Sequence, residues 1–252
     1  MYQWMFKMKE CEIYANLRVP CSSKVVVRAD GRNFQRLTRE LELEKPYDEV
    51  FAKLMASVGT DIFHEFSPVM VYIFSDEINI LLGEIPFSGR VEKIDSVFAG
   101  FISSSFTQKL LKNQDPPQLS RPPSFDSRII PLSPEGVVKY FQERQNEAWR
   151  NCLNGYAYWT LRKEYSYQKV IEILRRLRSK DLHDLLFSRG ININETPFWQ
   201  RRGLGIYRRD VEVEGYNPLE ERRVVSIRKR AFVDWELPIF DAEFFLGLKI
   251  FK

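Results

Sequence analysis

The stretch Val71–Leu82, VYIFSDEINILL, joins two apolar runs through the polar triplet Ser75, Asp76 and Glu77. Each run is too short for a helix and rich in β-branched residues, and Ser and Asp are good turn formers, so the segment reads as a buried β-hairpin with a charged tip. Lys24–Asp30 (KVVVRAD) is a further buried-type strand, broken by Gly31-Arg32-Asn33. Phe34–Glu40 begins a helical pattern. From Tyr47, the residues Val50, Phe51, Leu54, Met55, Val58, Ile62 and Phe63 recur at helical spacing. An amphipathic helix starts near Arg90, and DSRIIPL (126–132) reads as a strand. This β–α–α–β–β–α–β order predicts an α+β fold: an antiparallel sheet with helices on one face. The strand ending at Asp30 can then lie beside the hairpin that carries Asp76, with strand axes about 4.8 Å apart.

The rest of the chain reads differently. A long two-faced helix starts near Glu135, the basic helix YQKVIEILRRLRSK (167–180) follows, and alternation in LGIYRRDVEVEG and RRVVSIRKR marks a charged β-hairpin. We therefore divide the chain into an α+β segment, 1–134, and a helical and basic hairpin segment, 135–252. The net charge is +4, and Phe198–Val233 alone carries nine Arg/Lys against five Asp/Glu. Leu161–Lys180 carries seven against two. Such placement predicts an anionic partner, with nucleic acid foremost. The candidates are Arg175, Arg176, Arg178, Arg201, Arg202, Arg208, Arg209, Arg228, Lys229 and Arg230.

Other classes are disfavoured. No apolar run approaches the roughly 18–20 residues of a membrane span, and Lys, Glu and Arg interrupt the first twenty residues, unlike a signal peptide. Three scattered cysteines (Cys11, Cys21, Cys152) and two histidines support neither a disulfide framework nor a zinc site, so a reducing cytoplasm is expected. Two aspartates at neighbouring strand ends suit a pair of Mg²⁺ ions, which take oxygen ligands from one or two carboxylates plus substrate phosphates. Gly31 can add its carbonyl, and Lys45, Arg90 and Lys93 can offset a triphosphate.

VVVRADGRNF (25–34), KPYD (45–48), FSDE (74–77), GRVEKI (89–94), SFDSRII (124–130) and YFQERQ (140–145) together resemble, in order and spacing, the motifs of the tRNA-histidine guanylyltransferase family. The resemblance implies a polymerase-like palm that adds nucleotides to the 5′ end of tRNA, after activation of its 5′ phosphate, by attack of an incoming nucleotide's 3′-hydroxyl. It implies that Asp30 and Asp76 bind both metals, with Gly31 contributing, and that Glu77 stands close by. It implies nucleotide contacts from Asp30, Gly31, Arg32, Asn33, Phe34, Gln35, Ser75 and Asp76, an activating nucleotide at Lys45 and Asp48, phosphates at Arg90 and Lys93, and ATP and GTP or another nucleoside triphosphate as partners. Homodimers or homotetramers are implied as well. One element departs: where the eukaryotic members carry His-x-Asn-Asn after the Arg-Gln pair, this chain has Trp149 and retains only Asn151. That implies the guanylyltransferase-like branch, bacterial and archaeal in type, which repairs 5′-truncated tRNA by templating. The alternatives are G addition to tRNA-His and a palm-type nucleotide cyclase; against the latter, the tip reads FSDEI and not Gly-Gly-Asp/Glu-Glu-Phe.

Overall fold

The computed structural model describes residues 11–112, 118–217 and 222–250. Its centre is a six-stranded antiparallel sheet in the order β4-β1-β3-β2-β5-β6. The strands are β1 (Lys24–Gly31), β2 (Met70–Phe74), β3 (Glu77–Leu81), β4 (Phe125–Leu132), β5 (Leu204–Asn217) and β6 (Arg222–Asp234). The helices are α1 (Phe34–Glu40), α2 (Glu49–Phe66), α3 (Val91–Leu111), α4 (Pro134–Arg162), α5 (Tyr167–Leu174), α6 (Ser179–Phe187), α7 (Phe198–Arg202) and α8 (Ala242–Gly247). The expected element order therefore holds, and β1 lies between the hairpin strand β3 and β4.

Alternation along the strands assigns the two faces. Val25, Val27, Ala29, Val71, Ile73, Ile78 and Ile80 pack against α2 (Met55, Val58, Ile62) and α3 (Ile94, Phe98, Ile102, Phe106). Phe98 and Phe106 are fully buried, each contributing about 2–3 kcal/mol of hydrophobic stabilisation. Val26, Met70, Tyr72 and Leu81 point the other way, onto Val137 and Phe141 of α4 and onto Leu237, Phe240 and Phe245 beyond β6. The second face is thus also covered, by elements from the C-terminal half. α4 begins as its sequence dictates: Ser133 caps it by accepting the Gly136 N–H at 3.1 Å, and Pro134 fits the first turn, where an N–H has no partner anyway.

Two local readings need revision. Val50, placed on the apolar face of α2, is 71% exposed because it lies in the first turn, before the helix reaches the sheet. The basic segment 167–180 is not one helix: the Arg178 N–H donates to the Asp181 carboxylate at 2.8 Å and starts α6 as a new helix after α5. The charged hairpin forms as expected, and β5 pairs with β2 from Ile73↔Leu204 to Met70↔Tyr207, so it extends the same sheet. Beyond Tyr207 its two strands pair only with each other, up to Asn217↔Arg222, and form a ribbon that exposes Val225 and Ile227.

Gly203 makes the junction of α7 and β5. Its φ is +75°, and a Cβ there would stand 2.6 Å from the Ile73 carbonyl oxygen. Both the left-handed backbone and the collision demand glycine. Gly203→Ala is expected to cost about 2 kcal/mol or more, read as a lower denaturant midpoint at unchanged slope.

Candidate active site

The two aspartates reach one edge of the sheet by different routes. Asp30 is the penultimate residue of β1, and Asp76 sits in the two-residue turn between Phe74 and Glu77, which pair. Ser75 adopts φ 54°, a left-handed conformation costly for any residue with a Cβ. Asn33 does the same (φ 57°) where the chain reverses from β1 into α1. At Gly31 a Cβ would lie 2.4 Å from the Phe34 ring, so glycine allows that ring to pack beneath the strand end. Strained backbone therefore brackets both carboxylates, as it often does at functional sites.

Register adds a constraint that spacing alone cannot show. Asp30 pairs directly with Glu77 on one side and with Asp126 on the other, which places three carboxylates in one cross-strand row. Two of them have their own cation. Arg144 donates to Glu77 Oε2 at 3.2 Å, and Arg128 stands 3.5 Å from Asp126. Glu77 Oε1 accepts from Asn79 Nδ2 at 2.8 Å, and the Tyr140 hydroxyl donates to Asn79 Oδ1 at 2.5 Å. Among the described residues, no Lys or Arg lies within ion-pair distance of Asp30 or Asp76. Burial first, with the charges of Asp30 and Glu77 adding to it, pushes the Asp76 carboxyl up to about 6.

Three adjoining cavities open at this edge. One of about 360 Å³ runs under α4, lined by Asp30, Asp76, Glu77, Arg144, Glu147 and Asn151 among others. One of about 670 Å³ lies on the α1 side, lined by Asp30, Gly31, Asn33, Gln35, Arg36, Arg39 and Asp76. A third, of about 130 Å³, is walled by Lys45, Pro46, Tyr47, Phe74, Ser75 and Trp199. No group of three or more His, Cys, Asp or Glu suited to a metal occurs among the described residues. What could hold one is the unpaired Asp30–Asp76 couple with nearby backbone oxygen, a hard donor set of the kind Mg²⁺ accepts.

Sequence-chosen residues divide between those that converge here and those that do not. Asp30, Gly31, Asn33, Gln35, Ser75, Asp76 and Lys45 line the cavities; Arg32 is exposed beside them, and the Phe34 ring is buried in the core. Asp48 lines the third cavity, but its carboxylate is occupied in capping α2: it accepts from Phe51 N–H (2.8 Å) and Glu44 N–H (2.9 Å). Arg90 and Lys93 line none of the three cavities. α3 meets β4 at two points near this edge: the Ser103 hydroxyl accepts the Phe125 N–H at 3.0 Å, and the Ser127 hydroxyl, one residue beyond Asp126, donates to the Asp95 carbonyl at 2.7 Å, two residues along α3 from Lys93. Arg36, Arg39, Arg144 and Trp199 were missed as site residues. Arg36 and Arg39 share a helix face three residues apart, a spacing that could have drawn attention.

The basic residues also separate. Arg201 is buried, with its Nε on the Thr196 carbonyl, and Arg202 reaches the Leu237 carbonyl; both guanidiniums lie against Phe198. They brace α7 and are not open surface charges. Arg175 and Arg176 are exposed, with Arg176 paired to Glu172. On the ribbon, Arg209 pairs with Arg230 and Val211 with Arg228, so these three arginines share one face without an acid; Lys229 faces Asp210 on the other, which also bears Arg208.

An antiparallel sheet whose strand ends present two uncompensated carboxylates, flanked by cavities with basic and aromatic walls, fits the nucleotidyltransferase class. The family model described as Thg1: tRNAHis guanylyltransferase matches residues 5–133. This chain belongs to the tRNAHis guanylyltransferase family. It is 31% identical over 197 residues to the "Probable tRNA(His) guanylyltransferase" of Dictyostelium discoideum, covering 75% of this chain and 76% of that one. It is 29% identical over 240 residues to "tRNA(His) guanylyltransferase 1" of Arabidopsis thaliana, where it spans 91% of itself but 41% of that protein's length. Among solved structures, "Bacterial tRNA(HIS) Guanylyltransferase (Thg1)-Like Protein in complex with ATP" superposes with a TM-score of 0.74 at 26% identity, covering 97% of this chain and 96% of that one.

Because folding raises the Asp76 carboxyl above its ordinary value, this one group costs the metal-free protein stability progressively as pH rises from about 4 to about 6, and its full cost remains above that range. Asp76→Asn is therefore expected to melt at a higher temperature than wild type above about pH 6, without metal, and at the same temperature below about pH 4.

Proposed function

We propose that this chain adds nucleotides to the 5′ end of tRNA, in the 3′-to-5′ direction, and that its task is templated repair of 5′-truncated tRNA. The observation that carries the reading is the charge pattern of the acidic row: Glu77 and Asp126 have arginines, whereas Asp30 and Asp76 have none. Unpaired, half-buried carboxylates repel each other unless a cation joins them. Asp30 and Asp76, with the Gly31 carbonyl, would hold two Mg²⁺ ions, which supply charge neutralisation and polarisation of phosphate oxygens when bound.

The chain's own residues then divide the work. Arg36 and Arg39 face the same cavity as both aspartates and would take the incoming nucleotide's phosphates, with Asn33, Gln35 and Ser75 orienting the rest. Lys45 lies over the Trp159 ring at 5.7 Å and, with Tyr47 and Trp199, would hold the activating nucleotide. The ATP and GTP complexes named for similar bacterial structures support nucleoside triphosphates as ligands of such a fold. Templating would leave sequence reading to base pairing, while the protein follows the A-form backbone. Arg209, Arg228 and Arg230 would supply that contact from the ribbon face they share. Trp149 favours repair over histidine-specific G addition: it packs against His183 with ring centroids 5.8 Å apart, so an aromatic contact stands where the eukaryotic members have their histidine. A homodimer or homotetramer would cover the exposed Val225 and Ile227.

The test pairs tRNA lacking its first nucleotide with full-length tRNA-His, each with Mg²⁺, ATP and one nucleoside triphosphate at a time. Extension of the truncated tRNA only by the complementary nucleotide is the expected result; G addition to tRNA-His regardless of the opposing base would replace repair with the second reading. Nucleotide consumption without RNA would point to a cyclase. Asp30→Ala and Asp76→Ala should each abolish transfer while retaining tRNA binding. Arg209→Gln with Arg230→Gln should weaken tRNA binding and reduce the slope of log affinity against log salt by about 2, whereas Lys229→Gln should leave the slope in place.

A further inference from the structure

The acidic row raises a question that the metal pair alone leaves open, namely why Glu77 is not a third ligand. Glu77 is directly opposite Asp30 in the β1–β3 register, and side chains so placed have Cβ atoms about 4.5–5.5 Å apart. One rotamer change would bring its longer side chain to any cation held by Asp30. Instead both of its oxygens are engaged from the other direction: Oε2 by Arg144 of α4 at 3.2 Å, and Oε1 by the amide of Asn79 at 2.8 Å. Asn79 is fully buried and cannot turn away, because its own oxygen accepts the Tyr140 hydroxyl at 2.5 Å. Arg144 is in turn braced by Glu147 one turn further along α4. Tyr140 and Arg144 are four residues apart, on the helix face that lies over the sheet.

We propose that Arg144, with Asn79 and Tyr140, is a positioning group that withholds the Glu77 carboxylate from the metal couple, so that Asp30 and Asp76 bind cations with two side-chain carboxylates and not three. The inference rests on the metal reading of the preceding section. Its chemical consequence is selectivity and exchange. Mg²⁺ keeps several waters and takes one or two carboxylates plus substrate phosphates, whereas Ca²⁺ favours six to eight oxygens in a looser shell. A third carboxylate would tighten the site, fill a position meant for phosphate oxygen, and favour the larger ion. Arg144 acts through Glu77 and touches no reacting atom in this scheme.

The experiment titrates the full chain with Mn²⁺, without RNA or nucleotide, and counts free ion by electron paramagnetic resonance. Arg144→Met, Glu77→Gln and the double variant are compared with wild type. Arg144→Met should bind Mn²⁺ about tenfold more tightly, a coupling within the usual range for residues of one charged network. Ca²⁺ should gain on Mg²⁺ as its competitor, and in the Glu77→Gln background the same substitution should change nothing. Equal tightening in both backgrounds would mean that Arg144 matters only as a nearby positive charge, and would overturn the proposal. Tyr140→Phe keeps every charge and should tighten binding in the same direction by a smaller factor, even where Arg144→Met does not fold; unchanged affinity there would also overturn it. Mn²⁺ binding that is absent from wild type, or indifferent to Asp30→Asn, would sink the metal reading and this inference together, whereas normal wild-type binding with no effect of the α4 variants would sink the clamp alone.

Discussion

Like charges placed side by side on a sheet edge are the constraint around which this molecule is arranged. Register aligns Asp126, Asp30 and Glu77 on neighbouring strands, and the adjacent turn adds Asp76. Four carboxylates in so small a space cannot all stay charged without counter-ions. Two are neutralised internally, by Arg128 and Arg144. The other two meet at cavities broad enough for a nucleotide, and their mutual repulsion is what a bound divalent cation would relieve.

The second face of the sheet explains why α4 belongs to the site. Val137 and Phe141 bury that helix on Val26, Met70, Tyr72 and Leu81. The polar residues one step further along the same helix face, Tyr140 and Arg144, then fall above Asn79 and Glu77. Apolar burial sets the position of α4, and the hydrogen bonds follow from it. Gln145 joins the C-terminal segment to the same helix through the Pro238 carbonyl and the Phe240 N–H, both at 2.9 Å. Elements separated by about a hundred residues thus hold one hairpin tip in place.

Much of this was legible in the residues. The order of strands and helices through residue 132 followed from the periods of the apolar runs, and the aspartates were found because charged residues at the ends of buried strands are unusual. The misreadings have local causes. Segment 167–180 reads as one helix because its composition is uniformly helical, while the break depends on a single carboxylate, Asp181, turning back to the Arg178 N–H. Arg201 and Arg202 looked like surface charges because hydropathy cannot register that Phe198 and two backbone carbonyls enclose them. Arg90 and Lys93 join the aspartates on motif order alone; they line none of the three cavities, while their helix touches β4 beside Asp126 through Asp95 and Ser127.

The amino-acid sequence alone determined that this chain builds an antiparallel sheet with helices against it and carries acidic residues at two strand ends, because strand and helix periods and turn chemistry are written locally. Only the tertiary structure decided which carboxylates share a row, which two lack an arginine, and that α4 closes over them. Those facts depend on strand register and helix placement. Both arise from apolar packing between segments far apart in the chain, where a one-residue slip would turn every side chain to the opposite face.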